Sequence, residues 1–246
     1  MIRSNKDLKQ QYDDLNEQYL GAWKSLAKQE LSQYELDFIE KGMAALSERK
    51  GTLKVLELGI GPGRISQMLL RHNIDFYGAD ISEGMINSFK KKFKTNKKIK
   101  KLELCDITKN IPFKDIKFDV IVAFRMLYDN EEWREIIKTL AGRLTKSGVL
   151  IFNTHNVYSI ASLGSFFGKS KFGYYYTTLK ELKNVLAKNN LGFSIVGYGK
   201  LPDVIYDKCD NVFLARLLKN TENLLTVFLG EMLFTKMFHV VAKKRS

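Results

Sequence analysis

The sequence predicts an α/β fold in which a mostly parallel sheet carries helices on both faces, with a helical extension in front of it. Three observations carry this. From Thr52 onward, short apolar runs alternate with amphipathic stretches of helical period. The first run, Leu53 to Leu58, ends in a glycine-rich turn followed by a helix-like stretch, the opening of a strand-turn-helix unit. Finally, Val120-Ile121-Val122-Ala123-Phe124 is apolar without interruption, as a strand covered on both faces must be.

Composition agrees. With 246 residues, 45% hydrophobic, 27% charged and only 3 Pro, the chain is neither collagen-like, low-complexity nor disordered. A chain of this size buries about 70% of its surface or more, so it needs no disulfide or metal staple. Its two cysteines, Cys105 and Cys209, make no metal spacing, and the start Met-Ile-Arg-Ser-Asn-Lys has no apolar signal core. The expected compartment is the reducing cytoplasm.

Residues 6 to 48 place Leu8, Tyr12, Leu15, Tyr19, Leu26, Leu31, Tyr34, Phe38 and Ile39 at spacings of three and four, which reads as two or three helices. We take residues 1–50 as a helical cap and 51–246 as the main domain. After Leu53 to Leu58 come a helix at Ile65 to Arg71, a strand at Asp75 to Ala79 and a helix at Glu83 to Phe93. Strands at Lys101 to Cys105 and Phe118 to Phe124 precede a helix at Glu131 to Leu144 and a strand at Gly148 to Asn153. A helix at Thr178 to Lys188, a strand at Phe193 to Tyr198, an apolar helical stretch at Val212 to Phe234 and a last strand at Met237 to Ala242 complete the order. No internal repeat is present. Residues 156–177 carry Phe166, Phe167, Phe172, Tyr174, Tyr175 and Tyr176 among glycines and are too long for a plain connection. They read as a lid over an acceptor or, with equal weight, as the packing of a small subdomain.

The net charge of +13 admits nucleic acid or an anionic membrane surface as a partner without requiring either. Much of it sits in Lys90, Lys91, Lys92, Lys94, Lys97, Lys98, Lys100 and Lys101, where a solvated helix end suits the macrodipole. The apolar stretch from Leu224 to Val241 is broken by Glu231, Lys236 and His239, short of a membrane span. It reads as a core helix and strand, with a surface-lying amphipathic helix as the minor reading.

The sharpest chemical signal is Val55-Leu56-Glu57-Leu58-Gly59-Ile60-Gly61-Pro62-Gly63-Arg64. Glycines at 59, 61 and 63 let a backbone approach a ligand at the carboxyl end of the first strand. Asp80 ends the next strand, about 20 residues on, where an acid accepts both ribose hydroxyls of a bound nucleoside. Its other reading, as the cap of the following helix, belongs better to Ser82. Glu57 replaces the apolar residue usual in dinucleotide folds, and a carboxylate beneath the loop repels a pyrophosphate while suiting a cationic ligand.

The run Glu57-Leu58-Gly59-Ile60-Gly61-Pro62-Gly63, then Gly78-Ala79-Asp80-Ile81-Ser82-Glu83-Gly84-Met85-Ile86, then Cys105-Asp106-Ile107 with Ile111-Pro112-Phe113, and Phe118-Asp119-Val120-Ile121 closely resembles the class I S-adenosylmethionine-dependent methyltransferases. The resemblance covers residues 50 to 155. It implies a Rossmann-like seven-stranded sheet whose last strand is antiparallel, and S-adenosylmethionine as cofactor with S-adenosylhomocysteine as product. It further implies that Gly59 and Gly61 line the methionine and ribose portion, that Glu57 organises the loop near the methionine ammonium, and that Asp80 holds the ribose. Ile81 and Met85 would pack on adenine, Asp106 would accept from its amino group beside the backbone of Ile107, and Phe124 would border the methionine. Ile60 and Cys105 belong to the same cofactor set. Leu144-Thr145-Lys146-Ser147-Gly148 departs from the family's Pro-Gly-Gly before the fifth strand, which leaves that turn's geometry open.

A methyl sulfonium is an activated donor, so positioning and desolvation carry much of the catalysis and few catalytic residues are obligatory. A hydroxyl or protonated amine acceptor still needs a base. His155, after the fifth strand, is the leading candidate, with a loop histidine bonded to backbone as its plain alternative; Tyr128 lies at the same edge. Asp129 or Asn130 reads as the cap of the helix at Glu131, and Arg125 either clamps an acceptor phosphate or carboxylate or pairs with a nearby acid. Tyr12, Tyr19 and Trp23 are candidates to close over the cofactor. The first functional expectation is methyl transfer to an oxygen or nitrogen of a small molecule. The alternatives are RNA methylation, not favoured because no Asn-Pro-Pro-Tyr-type motif follows Phe124, a lipid-linked acceptor, and a cofactor-binding partner without turnover. Sequence is silent on oligomeric state.

Overall fold

The computed structural model describes residues 7, 9–14, 26–44, 46, 49, 51–159, 174–199, 211, 213, 214, 217, 220, 221, 224 and 235–245. Its strands are β1 (Leu53–Leu58), β2 (Ile74–Asp80), β3 (Ile99–Leu104), β4 (Phe118–Ala123), β5 (Leu144–Asn156), β6 (Tyr176–Thr177), β7 (Leu191–Tyr198) and β8 (Met237–Lys244). They form one sheet in the order β3-β2-β1-β4-β5-β8-β7, with β6 beside β5 off that path. β1 to β5 are parallel, and β8 runs antiparallel to both β5 and β7. The expected seven-stranded path is therefore present, with β6 as an addition that sequence reading assigned to a loop. Because β1 has β2 on one side and β4 on the other, the winding reverses there, and a crevice opens at the carboxyl ends of these strands.

The helices are α1 (Leu26–Ala44), α2 (Ser66–Leu69), α3 (Glu83–Lys92), α4 (Trp133–Arg143) and α5 (Leu179–Lys188). Alternation along the central strands sends Leu56, Ile121, Leu150 and Phe152 to a core with Ile137, Leu140, Leu182 and Leu186 of α4 and α5. The intervening Val55, Val120, Val122 and Ile151 pack with Ile39 and Met43 of α1, Leu69 of α2 and Phe89 of α3. Val120 to Ala123 are buried because each face of β4 has its own helical layer.

β5 is longer at both ends than its apolar run. At its start the register jumps from Phe118↔Leu144 to Val120↔Val149, so Thr145 to Gly148 bulge from the ladder. Thr145 Oγ1 donates to Asp119 Oδ1 at 3.0 Å. A Cβ on Gly148 would lie 2.8 Å from the Phe118 carbonyl, so the backbones approach where only glycine fits. At its far end the polar Asn153 to Asn156 stay in the strand because neighbours satisfy them: Asn153 Oδ1 accepts from the Arg125 N–H at 2.7 Å, and Asn156 Nδ2 donates to the Thr235 carbonyl at 2.9 Å. His155 is thus a strand residue, not one that follows the strand.

Other expectations are corrected in detail. The fourth helix is preceded by Glu132 and has no side-chain cap. Asn130 instead donates to the Met126 carbonyl at 2.6 Å, and Asp129 accepts from Tyr12. Ser82 does cap α3, accepting from the Met85 N–H at 3.1 Å. Several lysines of the 90–101 run have structural partners: Lys98 donates to the Leu70 and His72 carbonyls, and Lys100 of the outer strand β3 pairs with Asp75 of β2. No helix among the described residues is long and apolar enough to cross a membrane. Residues 160–173 of the expected lid, with Phe166, Phe167 and Phe172, lie outside the described residues, as do Tyr19, Trp23, Cys209 and most of 212–234.

His239 of β8 is fully buried, and neither ring nitrogen has a hydrogen-bond partner among the described residues. Tyr198 stacks on it at 5.0 Å, and Phe38 and Phe124 meet it edge-on at 5.2 Å. Burial lowers its pKa to about 4, against the help of Glu35. The unfolded imidazole, near 6.5, takes up its proton first, so stability is lost as pH falls from about 6.5 through about 4, by an order-of-magnitude 3 kcal/mol in all. His239→Phe removes that term and two unsatisfied nitrogens. Chemical denaturation should show the variant to be more stable, with its advantage widening between pH 7 and pH 5.

Candidate functional site

The turn after β1 is built by glycines in left-handed conformations, with φ of 68° at Gly59, 50° at Gly61 and 86° at Gly63. Gly63 is also a close approach: a Cβ there would lie 2.3 Å from the Phe93 ring. Asp80 at the end of β2 is 8% exposed and holds this turn from the side, its Oδ2 accepting from the Gly61 N–H at 2.8 Å and its Oδ1 from the Ser82 N–H at 2.9 Å. Burial raises its carboxyl to about 6 despite these donors.

A cavity opens above these elements. Gly59, Gly61, Asp80, Ile81, Met85, Cys105, Asp106, Ile107 and Phe124, all expected from sequence, line it. So do residues of the turn after β4, Arg125, Met126, Asp129 and Asn130, together with Tyr12. Asp106 is braced by Thr108, whose N–H and Oγ1 donate to its Oδ1 at 3.1 and 2.8 Å, and by Lys109 at 3.1 Å. The Cys105 thiol donates to the Asn110 carbonyl at 3.0 Å, and burial raises its pKa to about 11, which leaves it an unreactive wall.

Four expected site residues are not on that lining: Glu57, Ile60, Tyr128 and His155. Glu57 is buried beneath the turn, its Oε2 accepting from Ser66 Oγ at 2.5 Å, so it ties the turn to α2. Burial raises its carboxyl to about 8. Ile60 is buried in the core behind the turn. Tyr128 and His155 lie together at the ends of β4 and β5, ring centroids 4.3 Å apart, with Tyr174 stacked on His155 at 4.9 Å. Burial drives the Tyr128 phenol well above its ordinary range, so it stays protonated and keeps an O–H to donate.

Sequence reading missed Asp13. Its carboxylate accepts from Ser82 Oγ at 2.5 Å and from the Gly84 N–H at 3.2 Å, at the amino end of α3 where backbone donors are unspent. Beside it, Tyr12 donates to Asp129 Oδ2 at 3.0 Å. The helical residues 9–14 therefore bridge the cavity from the end of β2 to the turn after β4. No motif marks them, because their partners are 69 to 117 residues away.

The switch-point crevice, the glycine turn and the acid at the end of β2 form one site at the carboxyl edge of the α/β sheet. Residues 55–148 match the family model described as a methyltransferase domain. A protein of Geobacillus sp. (strain WCH70) with a provisional methyltransferase name is 25% identical over 154 residues, 61% of this chain; the match spans 56% of that protein's own length. Two solved structures share the fold. Magnesium protoporphyrin IX methyltransferase from Synechocystis PCC 6803, with bound SAH, has a TM-score of 0.66 at 16% identity, covering 98% of this chain and 100% of that one. N-methyltransferase NodS from Bradyrhizobium japonicum WM9, in complex with SAH, has a TM-score of 0.58 at 15% identity, covering 91% of this chain and 90% of that one.

The turn geometry yields a direct test. Gly63→Ala forces a side chain into the left-handed region and against Phe93, and should cost about 2 to 4 kcal/mol of stability in urea denaturation. An alanine variant as stable as the parent would remove the steric account of this turn.

Proposed function

We propose that this chain binds S-adenosylmethionine in the cavity and transfers its methyl group to an oxygen or nitrogen of a small molecule. The observation that carries the reading is Asp80, a poised carboxyl on the cavity wall, one of whose oxygens holds the glycine turn and the other the entry into α3. The residues fit such a cofactor. Gly59 and Gly61 present backbone without Cβ, Ile81, Met85, Ile107 and Phe124 offer apolar walls for a purine and a thioether, and Asp106 edges the same space. Glu57 lies too deep for contact and acts through its field and through Ser66. When bound, the cofactor supplies a sulfonium-activated methyl group, open to in-line displacement by the acceptor.

The chain's own residues exclude water and manage the proton. Tyr12 and its hydrogen bond to Asp129 cover one side of the cavity. His155, 7% exposed and ringed by Tyr128, Tyr174 and Tyr176, takes the acceptor's proton on a ring nitrogen, while Tyr128 keeps its own and orients the imidazole. The structural engagement of Lys98 and Lys100 weakens the RNA alternative.

Asp80 must be ionised to accept from two ribose hydroxyls, and the ammonium of the ligand favours ionised Glu57. Calorimetric affinity for S-adenosylhomocysteine should therefore fall as pH is lowered from 8 to 5. Asp80→Asn should remove the part of the slope near 6, and Glu57→Gln the part near 8. At pH 7.5, Asp80→Ala should cost roughly 2 to 4 kcal/mol of binding; an unchanged affinity defeats the assignment. With an acceptor found by panel screening, His155→Ala should slow transfer about 100-fold or more while leaving cofactor affinity within a factor of about two. Tight cofactor binding with no turnover across a broad panel would favour the partner-protein alternative.

A further inference from the structure

Glu35 on α1 has no exposed surface, yet it is flanked by two arginines, one from the turn after β1 and one from the turn after β4. Arg125 reaches its Oε1 with Nη2 at 2.7 Å and Nε at 3.0 Å. Arg64 reaches its Oε2 with Nη2 at 2.7 Å, and its Nη1 donates to Ser32 Oγ at 2.8 Å on the same helix. Arg64 ends the glycine turn after β1, whose Gly59 and Gly61 line the cavity. Arg125 lies in the turn after β4, lining it between Phe124 and Met126.

These turns touch. A Cβ on Gly59 would lie 3.3 Å from the Cβ of Met126, so a small displacement of either turn alters the cavity between them. Arg125 is moreover a non-glycine residue at φ 58°, a conformation that persists only where surroundings enforce it. Two tethers do so: Asn153 Oδ1, accepting from its N–H at 2.7 Å, and the carboxylate of Glu35 on its side chain.

We propose that Glu35 is a positioning residue for the cavity: a single carboxylate on α1 grips one arginine from each flanking turn and fixes the spacing at which those turns present their walls to the ligand. The clamp rests on the reading of this cavity as the S-adenosylmethionine site. It also makes the seat of α1 on the sheet a determinant of ligand affinity. Without the carboxylate, two guanidiniums face one another with no charge between them and push the turns apart. An ion pair that served stability alone would leave the affinity of the folded protein unmoved.

The test is calorimetric titration of the full chain with S-adenosylhomocysteine, well below each variant's melting temperature, with folding checked by circular dichroism. Glu35→Gln keeps shape and loses charge, and should weaken binding by at least about tenfold. Glu35→Asp keeps the charge and should restore part of the loss. Arg125→Lys keeps the charge but loses the planar fork, and should weaken binding comparably. The double variant should bind no worse than the weaker single, because each breaks the same clamp. Should Glu35→Gln not fold, Glu35→Asp and Arg125→Lys with their double variant decide the matter by the same criterion. Affinities equal to the parent's, or losses that simply add, overturn the clamp while leaving the cofactor reading intact. A parent chain that binds no S-adenosylhomocysteine removes both.

Discussion

The turn after β1 is held in shape from the neighbouring strand. Asp80 spends one oxygen on the Gly61 N–H and the other on the Ser82 N–H, so a single carboxylate fixes both the loop that ends β1 and the entry into α3. The parallel pairing of β1 with β2 places Leu58 opposite Ala79, which sets Asp80 level with the turn it holds. The cavity is the space left above this joint, and its remaining walls are elements that the sheet order brings to the same edge.

Those walls are closed from outside by residues that precede the sheet. Asp13 caps the start of α3 beside Ser82, and Tyr12 is bonded to Asp129 on the opposite rim. The chain segment most distant from the glycine turn in character is thus tied to both of its flanks. α1 continues the same theme one layer deeper, where Ile39 and Met43 join the core of the central strands. Gly42 sits so close to the sheet that a Cβ would meet Ile151 at 2.8 Å.

Much of this was legible locally. β1 and β4 are apolar runs with sharp ends, and their bounds follow from burial on both faces. The glycine turn and Asp80 were legible because their geometry depends on neighbours in sequence and on one adjacent strand. What escaped reading depends on long-range partners. The ends of β5 are polar and remain in the strand only because Asp119, Arg125 and Thr235 satisfy them. Glu35 lies in an ordinary helical pattern, and nothing in that pattern reports arginines 29 and 90 residues away. Of the two readings of Arg125, the clamp on an acceptor gave way to pairing with an acid, because that acid arrives from α1.

Of the carboxyl groups buried around the cavity, Glu35, Glu57 and Asp80 each meet the cost of leaving water differently. Burial would raise Glu35, but Arg125 and Arg64 overturn that and hold it ionised, so its charge is a constant of the structure. Glu57 has a hydroxyl beside it and Arg64 only at a distance, and at about 8 it is mostly neutral at rest. Asp80 has backbone donors and stands at about 6, between these extremes. A group locked in one charge state can position but cannot respond, whereas a group near its midpoint changes state when a cation or a pair of hydroxyls arrives. On the proposed reading a division of labour follows: the ionised acid fixes the walls, and the two acids nearer their midpoints release protons when a cationic nucleoside binds.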